Sequence, residues 1–131
     1  MLFRSRAKGK VVLAFYTQDA TPLCSAEVSA FKAEFETLKD LGAQVVAVSS
    51  DSLESHQQFL QKLGGLPFPL ASDTSLEVAR AYGAAAPGEK RSKRAIFVIG
   101  QDGVLLHANT FFNPGNPAQF AEVFRALGLE M

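Results

Sequence analysis

The run from Val11 to Tyr16 constrains the fold of this chain more than any other segment. Its residues, VVLAFY, are nearly all apolar and include β-branched and aromatic side chains. Such a short continuous run is typical of a strand that is buried on both of its faces. The run therefore predicts a central strand of a sheet.

A helical pattern follows this strand after the polar loop TQDATP. Thr21 and Pro22 suit the N-cap and the first position of a helix. Apolar residues then recur at spacings of three and four until Gly42, which favours a helix end; they are Val28, Phe31, Phe35, Leu38 and Leu41. The pattern predicts one long amphipathic helix with Cys24 in its first turn.

The remaining segments predict further strands and helices. AQVVAVSS predicts a second buried strand, residues 53–63 a helix that stops at Gly64, and FPLAS a short extended segment before a helix over residues 75–82. RAIFVIG and VLLHA, joined by a QDG turn, predict a β-hairpin, and residues 117–127 predict a last helix. This order predicts a single domain over residues 1–131 with an α/β, thioredoxin-like fold, in which helices flank a central mixed β-sheet.

Composition and charge restrict the binding partners and the cellular compartment that can be expected. Thirteen basic and thirteen acidic residues give a net charge of zero, so no overall field attracts nucleic acid or a membrane surface, and neither is expected as a partner. The basic N-terminus, MLFRSRAKGK, has no apolar core of a secretory signal. A lone cysteine cannot form an internal disulfide, which fits a reducing compartment, and a cytoplasmic location is expected.

The position of Cys24 favours a reactive thiol but does not establish one. A side chain in the first turn of a helix faces unpaired backbone N–H groups and the positive end of the helix dipole, and both stabilise a thiolate. Free cysteines are also among the most buried residues, so an inert core thiol is the alternative. Placement alone leaves both interpretations open.

The residues around Cys24 form a longer pattern. A Gly-Lys pair precedes an apolar strand that ends in two aromatic residues, and a threonine stands three residues before the cysteine with a glutamate three residues after it. These residues are Gly9, Lys10, Phe15, Tyr16, Thr21, Cys24 and Glu27. The pattern resembles the active-site region of the peroxiredoxins, the alkyl hydroperoxide reductase and thiol-specific antioxidant family. VVAVSSDSLESHQQF and the strand led by Arg94 are similar to later family segments, so the resemblance covers roughly residues 8–106.

The resemblance implies a thiol-dependent peroxidase with no cofactor and no metal. It makes Cys24 the peroxidatic cysteine, Thr21 the hydroxyl that holds peroxide and thiolate, and Arg94 the cation that keeps the sulfur ionised. It also implies a substrate site lined by Thr17, Leu23 and Glu27. Attack of a thiolate on an O–O bond moves negative charge onto the departing oxygen, so fixed donors, including backbone N–H groups near Leu23 and Cys24, stabilise the transition state.

Some features depart from the family pattern. Thr17 stands where the pattern has a proline that stiffens the loop and shields the cysteine, and the N-terminal segment that the family normally carries is expected to be missing. Ser29 occupies the place where bacterioferritin-comigratory-type relatives often have a resolving cysteine. The resemblance therefore implies a one-cysteine mechanism, in which thioredoxin, glutaredoxin or a low-molecular-weight thiol reduces the sulfenic acid of Cys24. Peroxiredoxins commonly dimerise, so a homodimer is an open expectation.

Other functions remain to be weighed against the enzyme. On the same fold, Cys24 could serve a redox sensor or a partner-binding module with little turnover. A disulfide exchanger is excluded, because Glu27 occupies the second position of a C-x-x-C pair. His56 and His107 lack the spacing of metal ligands, so no metal site is expected. His56 is interpreted as a boundary residue of its helix, although a pair with Cys24 is conceivable.

Overall fold

Strand β1, Lys10–Phe15, lies at the centre of the sheet. The protein is represented by a computed structural model that describes residues 9–100, 102–113 and 116–128. Within these residues the sheet has the order β3-β2-β1-β4-β5, with β2 at Ala43–Ser49, β3 at Leu70–Ser72, β4 at Ala95–Ile99 and β5 at Leu105–Asn109. β2 is parallel to both β1 and β3, whereas β4 is antiparallel to both β1 and β5. The sheet is therefore mixed, as predicted.

Helices occupy the segments between the strands and after β5. They are α1 (Pro22–Ala33), α2 (Phe35–Asp40), α3 (Leu53–Leu63), α4 (Glu77–Ala81) and α5 (Pro117–Ala126). The prediction of one long helix after Pro22 is wrong, because the backbone leaves helical geometry at Glu34, with φ −94° and ψ 5°. The N–H of Leu38 still donates to the Glu34 carbonyl at 3.1 Å, so the interruption is local. Among the described residues, no helix has the length and apolar character required to cross a membrane.

The residues of β1 alternate between two hydrophobic cores. Val12 and Ala14 belong to the first core, which also contains side chains of α1, α2, α3 and α5. Leu13 and Phe15 belong to the second core, which contains side chains of α4 and the loop after it. All four are buried, which confirms the prediction of a strand covered on both faces.

Gly42 joins the end of α2 to the start of β2. Its φ of +80° lies in the left-handed region, which L side chains other than Asn and Asp rarely adopt. Its N–H donates to the Lys39 carbonyl at 2.9 Å, and its own carbonyl accepts from the N–H of Lys10 at 3.2 Å. The turn therefore also fixes where β1 begins.

Gly42→Ala should destabilise the protein by about 1 kcal/mol, because a β-carbon disfavours a left-handed backbone. No atom lies within 4 Å of the position of an added Cβ, so the cost is conformational and not a clash. Gly42→Asn is the matched control, since asparagine tolerates this region better. Urea unfolding should rank the stabilities as wild type, then Asn, then Ala; equal stability of the two variants would contradict the explanation.

Candidate active site

Cys24 and Arg94 meet at the carboxyl end of β1. The chain leaves β1 after Phe15, passes through the loop 16–21 and enters α1, in which Cys24 is the third residue. The antiparallel register pairs Phe15 with Ala95, so the residue before Ala95 lies beside this loop. As a result, Arg94 Nη2 lies 3.2 Å from Cys24 Sγ, although 70 positions separate the two residues.

The Cys24 thiol is buried and yet its ionised form is favoured. The residue is 1% exposed, and burial alone would raise the pKa of the thiol. Hydrogen bonds from the Thr21 hydroxyl, the Gln18 backbone, the Arg94 guanidinium and the Thr17 backbone outweigh burial and lower the pKa. The sulfur is therefore a thiolate at a lower pH than an ordinary cysteine.

Thr21 is the N-cap residue of α1, but its side chain does not cap the helix. Its position confirms the prediction of Thr21 as the N-cap and Pro22 as the first helical residue, and its hydroxyl donates to the Gln18 carbonyl at 3.1 Å. A hydroxyl has one proton, so Thr21 lowers the pKa of the thiol when it turns that proton from the Gln18 carbonyl to the sulfur of Cys24. Thr21 thus links the loop to the helix that carries Cys24.

Glu27 is a buried carboxyl group on the other side of Arg94. It lies one helical turn after Cys24, is 1% exposed, and its Oε1 is 3.0 Å from Arg94 Nε. The contact is a close ion pair whose angles do not make a hydrogen bond. Burial raises the pKa of Glu27 well above its usual range, the charge of Arg94 opposes this rise, and a Cys24 thiolate reinforces it.

The other predicted site residues differ in their positions. Thr17 is half-buried at the start of the loop, and the side chain of Leu23 lies outside the described part of the structure. The interpretation of His56 as a boundary residue is wrong, because it is 2% exposed. Its ring nitrogens bond to Asp19 at 2.8 Å and to the Ala71 carbonyl at 3.1 Å, so it has partners other than the thiol.

Two loop residues contribute to the site in ways that the sequence did not predict. Backbone donors were expected near Leu23 and Cys24, whereas Thr17 and Gln18 supply backbone hydrogen bonds that lower the thiol pKa. Any residue except proline carries a backbone N–H, so no sequence signal marks such donors. In the residues that the structure describes, no group of three or more His, Cys, Asp or Glu side chains is arranged to hold a metal ion.

A surface cavity of about 310 Å³ borders Arg94. It is lined by Lys93, Arg94, Thr110, Phe111 and Phe112. A larger cavity, of about 450 Å³, lies between α2, the first half of β2 and the segment before β3, and shares none of the residues around the sulfur. The smaller cavity is therefore the one next to the thiol, because Arg94 both lines it and contacts Cys24.

Thr17→Pro should raise the pKa of the Cys24 thiol, because proline has no backbone N–H to donate. Thr17→Ala keeps that N–H and is the matched control, so its thiol pKa should stay close to that of the wild type. The pH dependence of alkylation by iodoacetamide measures both values. A thiol pKa in Thr17→Pro equal to that in Thr17→Ala would show that this donor is unimportant.

Comparison with known proteins places this geometry in a family. The model of the AhpC/TSA family matches residues 3–108. Peroxiredoxin Q, chloroplastic, of Sedum lineare is 39% identical over 118 residues, which are 84% of this chain and 60% of the relative. The chloroplastic 2-Cys peroxiredoxin BAS1 of Hordeum vulgare is 32% identical over 126 residues, covering 92% of this chain and 60% of the relative. The chain thus spans about three fifths of the length of these curated relatives.

Solved structures agree with these relatives. The bacterioferritin comigratory protein of Xanthomonas campestris, studied for alkyl peroxide reduction, aligns with a TM-score of 0.79 and 29% identity over 97% of this chain and 82% of its own. Peroxidoxin BcpB of Mycobacterium tuberculosis aligns with a TM-score of 0.81 and 27% identity over 92% and 79%. These alignments confirm the thioredoxin-like fold, and with the family match they establish that the chain belongs to the AhpC/TSA family of peroxiredoxins.

Proposed function

We propose that this protein is a thiol-dependent peroxidase that reduces hydrogen peroxide or organic hydroperoxides through a sulfenic acid at Cys24. The observation that carries the proposal is the contact between Arg94 Nη2 and the buried Cys24 Sγ, at 3.2 Å. A cation and hydrogen-bond donors converge on a thiol whose pKa is lowered despite burial. Reactive cysteines are found in such electropositive surroundings, whereas structural cysteines are not.

The proposed reaction transfers one oxygen atom. The Cys24 thiolate attacks the terminal oxygen of the hydroperoxide, an S–O bond forms, and the O–O bond breaks. The electron pair of the O–O bond leaves with the second oxygen, which takes up a proton and departs as water or an alcohol. The sulfur is oxidised to sulfenic acid and the peroxide is reduced, so atoms and electrons balance.

Each neighbouring group has a proposed role in this step. Arg94 and the Thr21 hydroxyl hold the thiolate and then stabilise the charge that moves onto the departing oxygen. Glu27, paired with Arg94 Nε, orients the guanidinium so that Nη2 faces the sulfur. Thr17 and Leu23 are proposed substrate contacts because of the family resemblance. The apolar wall of Phe111 and Phe112 beside Arg94 is proposed to accommodate an organic substituent of the peroxide.

Regeneration of Cys24 requires an external thiol. Cys24 is the one cysteine of the sequence, and by resemblance Ser29 stands where bacterioferritin-comigratory-type relatives often have a resolving cysteine. We propose that thioredoxin, glutaredoxin or a low-molecular-weight thiol attacks the sulfenic acid, with loss of water, to form a mixed disulfide. A second thiol then releases the Cys24 thiolate. Supply of such thiols favours a cytoplasmic setting.

A homodimer is a further proposal. Exposed apolar side chains lie on and next to β5, which is an edge of the described sheet; they are Val104, Leu105, Leu106 and Phe111. Burial of such side chains against a second copy removes apolar surface from water. Light scattering after size-exclusion chromatography measures the oligomeric state.

Peroxide should oxidise Cys24 stepwise in the absence of a reductant. One equivalent of hydroperoxide should add one oxygen per chain, and an excess should add a second and a third, because no internal thiol can condense with the sulfenic acid. Intact-mass spectrometry with peptide mapping should locate these additions at Cys24. An added thiol should intercept the first product as a mixed disulfide and restore the reduced mass.

Cys24→Ser is the control and should gain no oxygen at position 24. A cysteine that stays unmodified under peroxide that oxidises the two methionines would be an inert core thiol, and the proposal would fail. Oxidation of Cys24 without steady-state turnover, measured with several thiol reductants, would instead favour the redox sensor. The near-complete burial of Cys24 is the observation that keeps this second function open.

Arg94→Met should slow the reaction of Cys24 with peroxide by about 10²-fold, because one fixed donor is removed from a site of developing charge. It should also destabilise the protein by about 1–3 kcal/mol, because the buried Glu27 carboxyl loses its partner. Stopped-flow kinetics measure the first effect and urea unfolding the second.

The double variant Arg94→Met/Glu27→Met separates these two effects. Apolar replacement of both members of a buried ion pair is often neutral for stability. The double variant should therefore recover most of the stability but none of the rate. A rate within about threefold of the wild type in either variant would refute the role proposed for Arg94, since loss of one such donor typically costs far more.

A further inference from the structure

A buried polar cluster lies behind the loop 16–21 and has no part in the proposed chemistry. We call Tyr16, Asp19, Ser55 and His56 the Asp19 cluster. Asp19 is 8% exposed and His56 2%, so both belong to the interior of the protein. Buried groups of this kind are costly unless they are paired and hydrogen-bonded. The polar groups of the cluster are therefore expected to have hydrogen-bond partners.

The Asp19 carboxylate accepts three hydrogen bonds. The donors are the Tyr16 hydroxyl at 2.5 Å, the Ser55 hydroxyl at 2.7 Å and His56 Nδ1 at 2.8 Å. The backbone N–H of Asp19 also donates to Asp51 Oδ2 at 2.8 Å. Groups from the end of β1, from α3 and from the loop after β2 thus fix both the backbone and the side chain of one loop residue.

His56 faces an acceptor on each ring nitrogen. Nδ1 bonds to the Asp19 carboxylate and Nε2 to the Ala71 carbonyl, at 3.1 Å. A neutral imidazole has one N–H, so both bonds exist together only in the imidazolium form. Burial lowers the pKa of His56, but the hydrogen bond and charge of Asp19 and the Ala71 carbonyl outweigh it, and the pKa is raised.

The charged groups around His56 favour its protonated form. Asp19 and Asp51 both face it, from the loops after β1 and β2, and the charge of each raises the pKa of His56. Arg91 neutralises Asp51 in part, with Nη1 at 2.7 Å from Oδ1. The Tyr16 hydroxyl lies 3.4 Å from Nδ1 and stays neutral, because burial and the bond to Asp19 raise its pKa.

The loop that Asp19 anchors is the one that supplies donors to the thiolate. Gln18 precedes Asp19 directly, and its carbonyl accepts from the hydroxyl of Thr21, the N-cap of the helix that carries Cys24, at 3.1 Å. The backbones of Gln18 and Thr17 also lower the pKa of Cys24. Ala20, which follows Asp19, has a φ of +63°, a conformation that costs a residue with a β-carbon about 1 kcal/mol. A strained backbone of this kind persists only when its surroundings hold it.

We infer that His56 is a positioning residue, which through Asp19 holds the loop 16–21 in the conformation that directs its donors at the Cys24 thiolate. The inference rests on the proposed function of Cys24. It assigns no contact between His56 and the sulfur. Part of the lowering of the Cys24 pKa therefore depends on α3, which carries His56 and lies on the far side of the loop.

Two substitutions at His56 separate its two hydrogen bonds. In His56→Asn the amide nitrogen takes the place of Nδ1 and keeps the bond to Asp19, whereas in His56→Gln it takes the place of Nε2 and keeps the bond to Ala71. Both substitutions remove the imidazolium charge, so any direct effect of that charge on the sulfur is common to the two. The difference between the variants isolates the bond to Asp19.

The readout is the pKa of the Cys24 thiol, from the pH dependence of its alkylation by iodoacetamide. His56→Gln should raise this pKa by about one unit, which is about tenfold less thiolate at a pH below it, and His56→Asn should stay near the wild type. Ser55→Ala removes another donor to Asp19 at the half-buried start of α3 and should raise the pKa less. Equal pKa values in the two His56 variants, or no rise in Ser55→Ala, would overturn the inference.

Leu63→Ala is the control for general loosening of α3. Leu63 packs on the first core about two turns after His56 and is no member of the cluster. The variant should lose stability on urea unfolding and leave the thiol pKa unchanged; a rise like that of His56→Gln would show a merely structural role. Alkylation needs no peroxide, so failure of the peroxidase proposal would appear in the turnover assay and not in this one.

Discussion

The antiparallel pairing of β1 with β4 is the constraint on which the site depends. It sets Phe15 against Ala95, and so places the residue before β4 beside the loop that leads into α1. Arg94 and Cys24 are distant in sequence and share no secondary structure, so this register alone brings them to 3.2 Å. A slip of one residue would turn Arg94 to the opposite face of the sheet and leave the thiol without its cation. The apolar side chains of β1, which fill a core on each face, make such a slip costly.

In the site that this register forms, one cation, Arg94, lies between two acidic groups, Cys24 and Glu27. Arg94 Nη2 faces the sulfur and its Nε faces the Glu27 carboxyl, in surroundings that exclude most water. Two buried anions cannot both be balanced by one guanidinium, and the pKa shifts show how the conflict is resolved. The pKa of Glu27 is raised and that of Cys24 is lowered, so the charge of Arg94 serves the thiolate first. The hydrogen bond from Arg94 to the sulfur and the polar groups of the loop lower the pKa of Cys24, whereas Glu27 has only the ion-pair contact with Arg94 against its burial.

The sequence predicted the parts of the fold that have a periodic hydrophobic pattern or characteristic turn residues. The buried strand, the hairpin and the helix that ends at Gly64 follow from hydrophobic spacing and turn residues, and the structure confirms them. The interruption at Glu34 could not be predicted, because neither proline nor glycine marks it. Arg94 was found through resemblance to a family and not from its spacing. Neither hydrophobic spacing nor family resemblance predicted the pair of Asp19 and His56. The two residues are 37 positions apart, and a histidine in a helical pattern does not indicate which acceptor it will meet in the folded protein.

The hydrogen bonds between Asp19 and its partners matter because Thr17 leaves the loop less rigid than a proline would. A proline at this position would fix one backbone dihedral angle of the loop before folding, and threonine leaves it free, which adds about 1 kcal/mol to the cost of ordering the loop. The left-handed backbone of Ala20 adds a cost of similar size. A hydrogen bond to a charged group contributes about 1.5–3 kcal/mol, so the three bonds to the Asp19 carboxylate can offset both. The side chains packed behind the loop therefore contribute to its rigidity. Because position 17 is not proline, the loop also keeps the Thr17 N–H, and the Thr17 backbone lowers the pKa of Cys24.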